Sequence, residues 1–450
     1  MRIVTLLVTG GLLCSGTLVA QGPVNNTCRF RLVSTGRQGT TQGDNMFAGG
    51  GVVIKCNDLP VTMSSDSVAY YAPPIDLVQF IGNVRYEDTT ITMTANNGTY
   101  FKQGERWEAR GNVVTRNVET GSTLTGPSLD YYRALKGVRD TIEMYAIGRP
   151  HINYIPQDSA GRPEEPYLID ADRVRMKGND RIWAGGRVTI DRSDFAATAD
   201  SMRLDTGPTG DGTLIGNPVL RGLGTDSFNL QGRRIDLDLD EKALSYVLAR
   251  GNGHAVTTDL DLVADTIGLD VESQKLIQTI AWGDSIRPYA SSTDFAMRAD
   301  SLAFDTPGQK LTQSRAYGKA WVGGSVDSSS TERDCSRDYR ICDWLVGDTI
   351  VAGFAERDSA GTSRTVLQQV DASHQARAHY RTDNETSDQR GVTYSRADRI
   401  IITMKTGEKQ GVDRVELQGD VDGVQLDPLK PGATPADSTA RRAPPRGGGR

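Results

Sequence analysis

Apolar and polar residues alternate along most of this chain with a period of two. In Asp300–Phe304, Leu302 and Phe304 fall on one side of an extended backbone, with Ser301 and Ala303 on the other. A turn follows at Pro307-Gly308, and Tyr317-Gly318-Lys319-Ala320-Trp321-Val322 reads as a returning strand broken at a glycine. The same arithmetic pairs Val68 with Tyr70, Leu129 with Tyr131, Val174 with Met176 and Met202 with Leu204. It also pairs Ile235 with Leu237, Ile267 with Leu269 and Ile400 with Ile402. Their opposite-facing neighbours are Arg, Asp, Ser, Gly or Ala. One greasy and one wet face suits antiparallel strands and argues against a parallel sheet covered on both sides.

The pattern recurs. A first element, small-Asp-x-apolar-x-apolar, stands at Ser65–Tyr70, Ala171–Met176, Ala199–Leu204, Ala264–Leu269, Ala299–Phe304 and Ala397–Ile402. Worn copies lie at Asn96–Tyr100, Ser128–Tyr131, Arg234–Leu237 and Gly347–Ile350. A second element centred on glycine follows, as in Ile81-Gly82-Asn83-Val84, Arg110-Gly111-Asn112-Val113 and Gly185-Gly186-Arg187-Val188; only the copy after Asp348 lacks a clear glycine. About ten such hairpins, spaced roughly 28 to 50 residues apart, cannot each bury a greasy face alone and must stack on a shared interior. The glycine is read as a bend that lets a strand turn a corner. The Asp is read as a turn organiser just before a strand. Three stretches break the rhythm, at 154–166, 327–346 and 377–391, as excursions or as boundaries between sub-bodies.

Composition narrows the class. With 450 residues, 37% hydrophobic, only 6% aromatic and 49 glycines, this is a turn-rich chain with a polar surface. A net charge of −6 with both signs interspersed leaves no basic footprint for nucleic acid. Arg2, the apolar run Ile3–Val19 and the small Ala20 read as a signal peptide over residues 1–20, hence an exported protein. Cys14 lies within it, but Leu13 stands where a lipoprotein signal carries a small residue. Residues 427–450, rich in Pro, Gly, Ala and Arg, read as a disordered basic tail. Four cysteines remain in an oxidising compartment, and they favour disulfides. Cys28 with Cys56 would staple two consecutive strands, and Cys335 with Cys342 would close a small loop. His151, His254, His374 and His379 lie near no cysteine pair at ligand spacing, so no metal or other cofactor is expected. The many Asp residues invite a paired-carboxylate catalyst, but a catalytic pair need not recur in about ten copies. No nucleophile elbow or phosphate-binding loop appears. The expectation is a protein that is not an enzyme.

The ordered recurrence of Ala-Asp-x-apolar-x-apolar-Asp followed by x-Gly-Asn-Val resembles the OstA-like family. That family comprises the LptA-type periplasmic bridges of lipopolysaccharide transport and the N-terminal domains of LptD-type outer-membrane translocons. The best matches are Ser65–Val84, Ala171–Val188, Ala264–Gly283, Ala299–Gly318 and Ala397–Val421, and the resemblance covers residues 28–426. It implies an antiparallel β-jellyroll over 21–426, an open twisted trough whose lumen takes lipid A acyl chains in the periplasm. The eight apolar pairs named above would line that lumen. The partners implied are lipopolysaccharide and LptC-like and LptD-like proteins, joined through free strand edges at Cys28–Cys56 and Asp398–Val421. No barrel-forming run of alternating segments follows residue 427, so a bridge rather than a translocon is expected. The competing reading is a structural or adhesive β-repeat protein of the cell envelope without ligand, in which the same pairs are only its core.

Overall fold

The structure, a computed structural model, describes residues 28–426 apart from 159, 208–209, 224–227, 241–242, 258–259, 274, 293–294, 325–342, 360–361, 383–390 and 406–411. These residues form thirty β-strands and one short 3-10 turn, Pro307–Gln309, so the all-β expectation holds. All the strands join one antiparallel sheet in which each pairs mainly with its neighbours in sequence.

A bend in the middle of each long strand gives the sheet its depth. Strand Gln313–Gly324 pairs through Gln313–Tyr317 with strand Ser301–Asp305, and beyond the bend through Trp321–Gly324 with strand Phe295–Arg298. Between the two parts Gly318 and Lys319 take φ of 77° and 47°, and the register shifts between Tyr317 and Ala320. Left-handed backbone costs a residue with a Cβ roughly 1–2 kcal/mol, which is why glycine sits here. A second constraint acts at the same atom. The Asp300 carboxylate packs onto Gly318 where a Cβ would stand, and its Oδ1 lies 2.9 Å from Arg287 Nε. Asp66 covers Gly82 in the same way and accepts a 2.9 Å hydrogen bond from Asn83 Nδ2. The recurring Asp therefore belongs to the bend, beside the glycine of the following strand, and not to the hairpin turn where sequence reasoning put it. In the copy without glycine the corner is made by His374 and Gln375, at φ of 62° and 58°.

The bends align into a spine along which the sheet folds into two facing wings. Wing A holds segments such as Ser67–Tyr71, Leu77–Ile81, Arg106–Arg110 and Ser128–Tyr132; wing B holds Thr62–Ser64, Val84–Glu87, Val113–Arg116 and Thr123–Gly126. Hairpin turns form the two rims. Rings cross the interior: Tyr86 of wing B lies 5.2 Å from Trp107 and 5.7 Å from Tyr131 of wing A.

The irregular stretches do not divide the body. Residues 155–166 form a loop on the wing B rim, and the flanking strands His151–Tyr154 and Tyr167–Asp170 pair directly with each other. Residues 377–382, expected to be irregular, continue strand Thr362–Thr382 and pair with Gly391–Arg396. There the exposed Arg377 and the half-buried His379 and Arg381 alternate with Ala378 and Tyr380 of the inner face. Asp343–Val346 likewise begins strand Asp343–Ser359. Residues 327–342 and 383–390, the first twenty residues, Cys14 among them, and the tail 427–450 lie outside the described residues.

Candidate functional site

The eight predicted pairs all face the interior of wing A. Val68, Leu129, Tyr131, Val174, Met202, Leu204, Ile235, Leu237, Ile267, Leu269, Leu302, Phe304 and Ile400 are buried; Tyr70, Met176 and Ile402 are half-buried. Register links them into two rows along the molecule. The row nearer the spine runs Leu129, Ala146, Val174, Ala184, Met202, then Leu214, Ile235, Ala249, Ile267, Ala281, Leu302, Ala316, Ile350, Ala372 and Ile400. Large residues come from the first element, and the second element mostly supplies alanine. Such alternation lets the facing wing interdigitate at native packing density. The alanines were legible in Ala146, Ala281 and Ala316, two residues before each bend glycine, yet sequence reasoning passed over them.

The second row, further from the spine, changes character along its length. Near the N-terminal end it carries Tyr70, Tyr100, Trp107 and Tyr131; toward the other end come Thr279, Phe304, Ser314, Ala352, Val370 and Ile402. Aromatic bulk fills the space between the wings at one end. Phe30, on the first strand of wing B, packs edge-on against Tyr100 at 5.3 Å and Tyr70 at 6.5 Å. The Cys28–Cys56 disulfide forms as expected beside it; Cys335 and Cys342 fall outside the described residues.

Polar groups tie the rims together over this end. Glu105, at the wing A rim, is 2% exposed, and its carboxylate accepts hydrogen bonds from the Cys28 amide (2.6 Å), the Tyr100 hydroxyl (2.6 Å) and Arg133 Nε (3.3 Å). Asp88, on the wing B rim, accepts from Tyr86 of its own wing at 2.8 Å and from Tyr131 across the interior at 2.9 Å. The Tyr154 hydroxyl of wing B donates to the Asn179 carbonyl of wing A at 2.7 Å and meets Thr206 Oγ1. Burial, reinforced by these carboxylates, holds the Tyr86, Tyr100 and Tyr131 phenols well above their usual range. Burial pushes the Tyr154 phenol up to about 12. None of these acids was singled out from sequence. For Asp88 the available signal was an acid in a hairpin turn two residues after an inward tyrosine, Tyr86-Glu87-Asp88. Between the rims near Tyr154, a cavity of about 30 Å³ lined by Thr115, Leu124, Ile142, Met144 and Met176 has room for one or two waters.

The far end is looser. Phe295 of wing B still meets Phe354 of wing A at 6.0 Å. Beyond that contact Leu367, Ile402, Met404, Val415 and Leu417 are only half-buried. Wing B there contributes the small Ala378 and Ser395, with Leu345 buried and Tyr380 half-buried against the core. The terminal strands of the sheet have partners on one side among the described residues. Among the described residues, strands Phe30–Ser34 and Arg37–Gln42 pair only with Asn45–Cys56, and strands Val412–Gln418 and Asp422–Leu426 pair only with Gly391–Met404. The edges anticipated at Cys28–Cys56 and Asp398–Val421 are the ends of the ladder.

Three of the four histidines make ordinary contacts: His151 with Asp170 at 3.2 Å, His254 with Asp261 at 2.9 Å, His379 stacked on Trp344 at 5.7 Å. Among the described residues no group of three or more His, Cys, Asp or Glu is placed to hold a metal ion. No helix among them is long and apolar enough to cross a membrane. No protein-family model and no curated protein matches the chain.

Proposed function

We propose that this protein is a non-enzymatic cell-envelope carrier that binds the acyl chains of a glycolipid of the lipopolysaccharide type and passes it toward the outer membrane. It acts as an OstA-like β-jellyroll bridge in the periplasm. The observation that supports this reading is the continuous apolar interior of a single folded sheet whose terminal strands, among the described residues, are paired on one side only. An acyl chain needs a water-poor surface without unpartnered donors, because burying such groups costs a few kcal/mol each. Free edges can add strands from LptC-like and LptD-like neighbours through main-chain hydrogen bonds.

The test is mass spectrometry of lipid co-purified with the mature protein from its own envelope. A glycolipid in near-stoichiometric amount is expected. A second reading, a structural β-repeat protein without ligand, is favoured by the burial of thirteen of the sixteen predicted lumen residues. Consistent absence of any acyl lipid would leave that second reading standing.

A further inference from the structure

We propose that the outer face of wing A, between Phe101 and Trp183, binds the anionic saccharide of the glycolipid whose acyl chains the interior takes. The occupant rests on the lipid-binding reading; the face itself rests on geometry and charge. Six strands lie side by side there: Ile91–Phe101, Arg106–Asn117, Thr123–Tyr132, Glu143–Ile147, Arg173–Lys177 and Arg181–Asp191. The wing A turns that border them, 102–105, 133–142 and 178–180, all belong to the described residues.

Rings on outward positions do nothing for the core. Beside the buried Tyr100, Tyr131, Met144 and Ile182, the outward neighbours are Phe101, Tyr132, Tyr145 and Trp183. Tyr145 is 37% exposed and the other three rings are half-buried. Arginines accompany each of them. Arg106 Cζ stands 4.0 Å from the Phe101 ring centroid, and Arg139 Cζ 5.0 Å from that of Tyr132. Arg175 Cζ sits between two rings, 5.3 Å from Tyr145 and 5.1 Å from Trp183. Tyr132 and Tyr145 meet edge to face at 5.6 Å. Five strand spacings of about 4.8 Å make the band roughly 24 Å long. Along it, ring surface alternates with fixed guanidinium groups.

Charge selects the occupant. The three outward positions nearest the bend on each of these strands include Arg106, Arg110, Arg173, Arg175, Lys177 and Arg181 against Glu108, Asp130 and Glu143, a net +3. On the next seven strands of the same face, Phe195–Asp205 through Ser301–Asp305, the same positions carry Arg203, Arg234 and Arg250 against six aspartates, a net −3. The whole chain carries −6, so the band is a local reversal that attracts an anion. Glu143 fixes its geometry, accepting from the Tyr145 hydroxyl at 2.7 Å and from Arg175 Nη2 at 3.2 Å. A guanidinium has five N–H donors, so Arg175 keeps others for a phosphate or carboxylate. The C–H face of a sugar ring packs on the aromatic surface beside it. Saccharide and acyl chains are neighbours at the wing A rim. A cleft of about 460 Å³ there is lined by Thr141, Lys177, Asp180 and Arg181, and by Gly178 and Asn179, which also line the interior cavity beside Met144 and Met176. A headgroup at this rim meets two cations and, two residues along from Lys177, Arg175.

The test uses the full mature chain and two probes: deacylated lipopolysaccharide, which keeps the phosphorylated saccharide, and a diazirine-bearing fatty acid, which has no saccharide. In titration calorimetry the deacylated saccharide should bind saturably and more weakly as salt is raised. Neutral dextran should bind at least about tenfold more weakly, since it cannot use the guanidinium groups as an anion does. Arg175→Gln with Trp183→Ala should weaken saccharide binding by about tenfold and leave fatty-acid photolabelling unchanged. Circular dichroism verifies the fold, and Arg175→Gln alone serves if the double variant is not folded. No saccharide binding by a wild type that the fatty acid still labels would overturn this face and leave the lipid reading intact. Failure of both probes would sink both. Dextran bound as tightly as the anionic saccharide would overturn the charge argument. Undiminished saccharide binding by the variant would overturn the location; if that variant also loses an envelope protein that co-purifies with the wild type, the face belongs to a protein partner instead.

Discussion

Replacing Gly318 by alanine tests the physical logic of the bend at one rung. The substituted residue must hold φ at 77° and place a methyl where the Asp300 carboxylate lies. The left-handed conformation costs about 1–2 kcal/mol. The stiffer unfolded chain returns roughly 0.4–1 kcal/mol. Asp300 must also swing aside, breaking its contact with Arg287; its side chain is 59% exposed, so the loss is at most about 1 kcal/mol. The net expectation for Gly318→Ala is a destabilisation of about 1–2 kcal/mol. Asp300→Ala alone should cost less than about 1 kcal/mol by the same surface-pair argument. In the double variant the collision is gone, so its cost should fall short of the sum by roughly 0.5–1 kcal/mol, the coupling expected of residues in contact. Urea unfolding followed by far-ultraviolet circular dichroism at 25 °C reads all three against wild type. A stable Gly318→Ala protein would refute the left-handed bend. Strict additivity would refute the Asp–Gly contact as the reason the two residues travel together.

Two further outcomes are expected. The Tyr86, Tyr100 and Tyr131 phenols are raised above their unfolded value in the folded state, so their contribution is fully present below pH ~10. It is lost as pH climbs above that point, by about 1.4 kcal/mol per pH unit for each tyrosine that ionises only when unfolded. For Tyr154 the loss is complete near its folded value of about 12. Unfolding midpoints measured from pH 9 to 11.5 should drop steeply, and Tyr131→Phe should flatten the drop; a pH-independent midpoint would contradict the burial of these phenols. The Cys28–Cys56 bond closes a loop with a sequence separation of 28. Loop-closure entropy makes it worth about 3–4 kcal/mol. Adding reductant after mild unfolding, or Cys56→Ala, should lower the urea midpoint accordingly, and no change would mean that the N-terminal strands contribute nothing to cooperative stability.

Much was legible in the chain itself. The period-two alternation placed all eight pairs on the inner face, and the glycine spacing located the bends, because both are local consequences of strand geometry and of backbone that only glycine adopts freely. The Cys28–Cys56 pairing followed from two adjacent strands. Sequence alone also decided that the fold is antiparallel and shares one interior, since a greasy face on each hairpin has no other way to leave water. Only the tertiary structure decided how far apart the wings stand. That depends on which side chains meet across the interior, and the partners of Glu105, Asp88 and Tyr154 lie 25 to 77 residues away in the chain. The alternation that marks Leu302 and Phe304 as inward is the same whether they touch a lipid or Ala316 and Ser314. Long-range packing fills the interior near Trp107 with rings and leaves Ile402 half-buried against the core, a difference that no local period encodes.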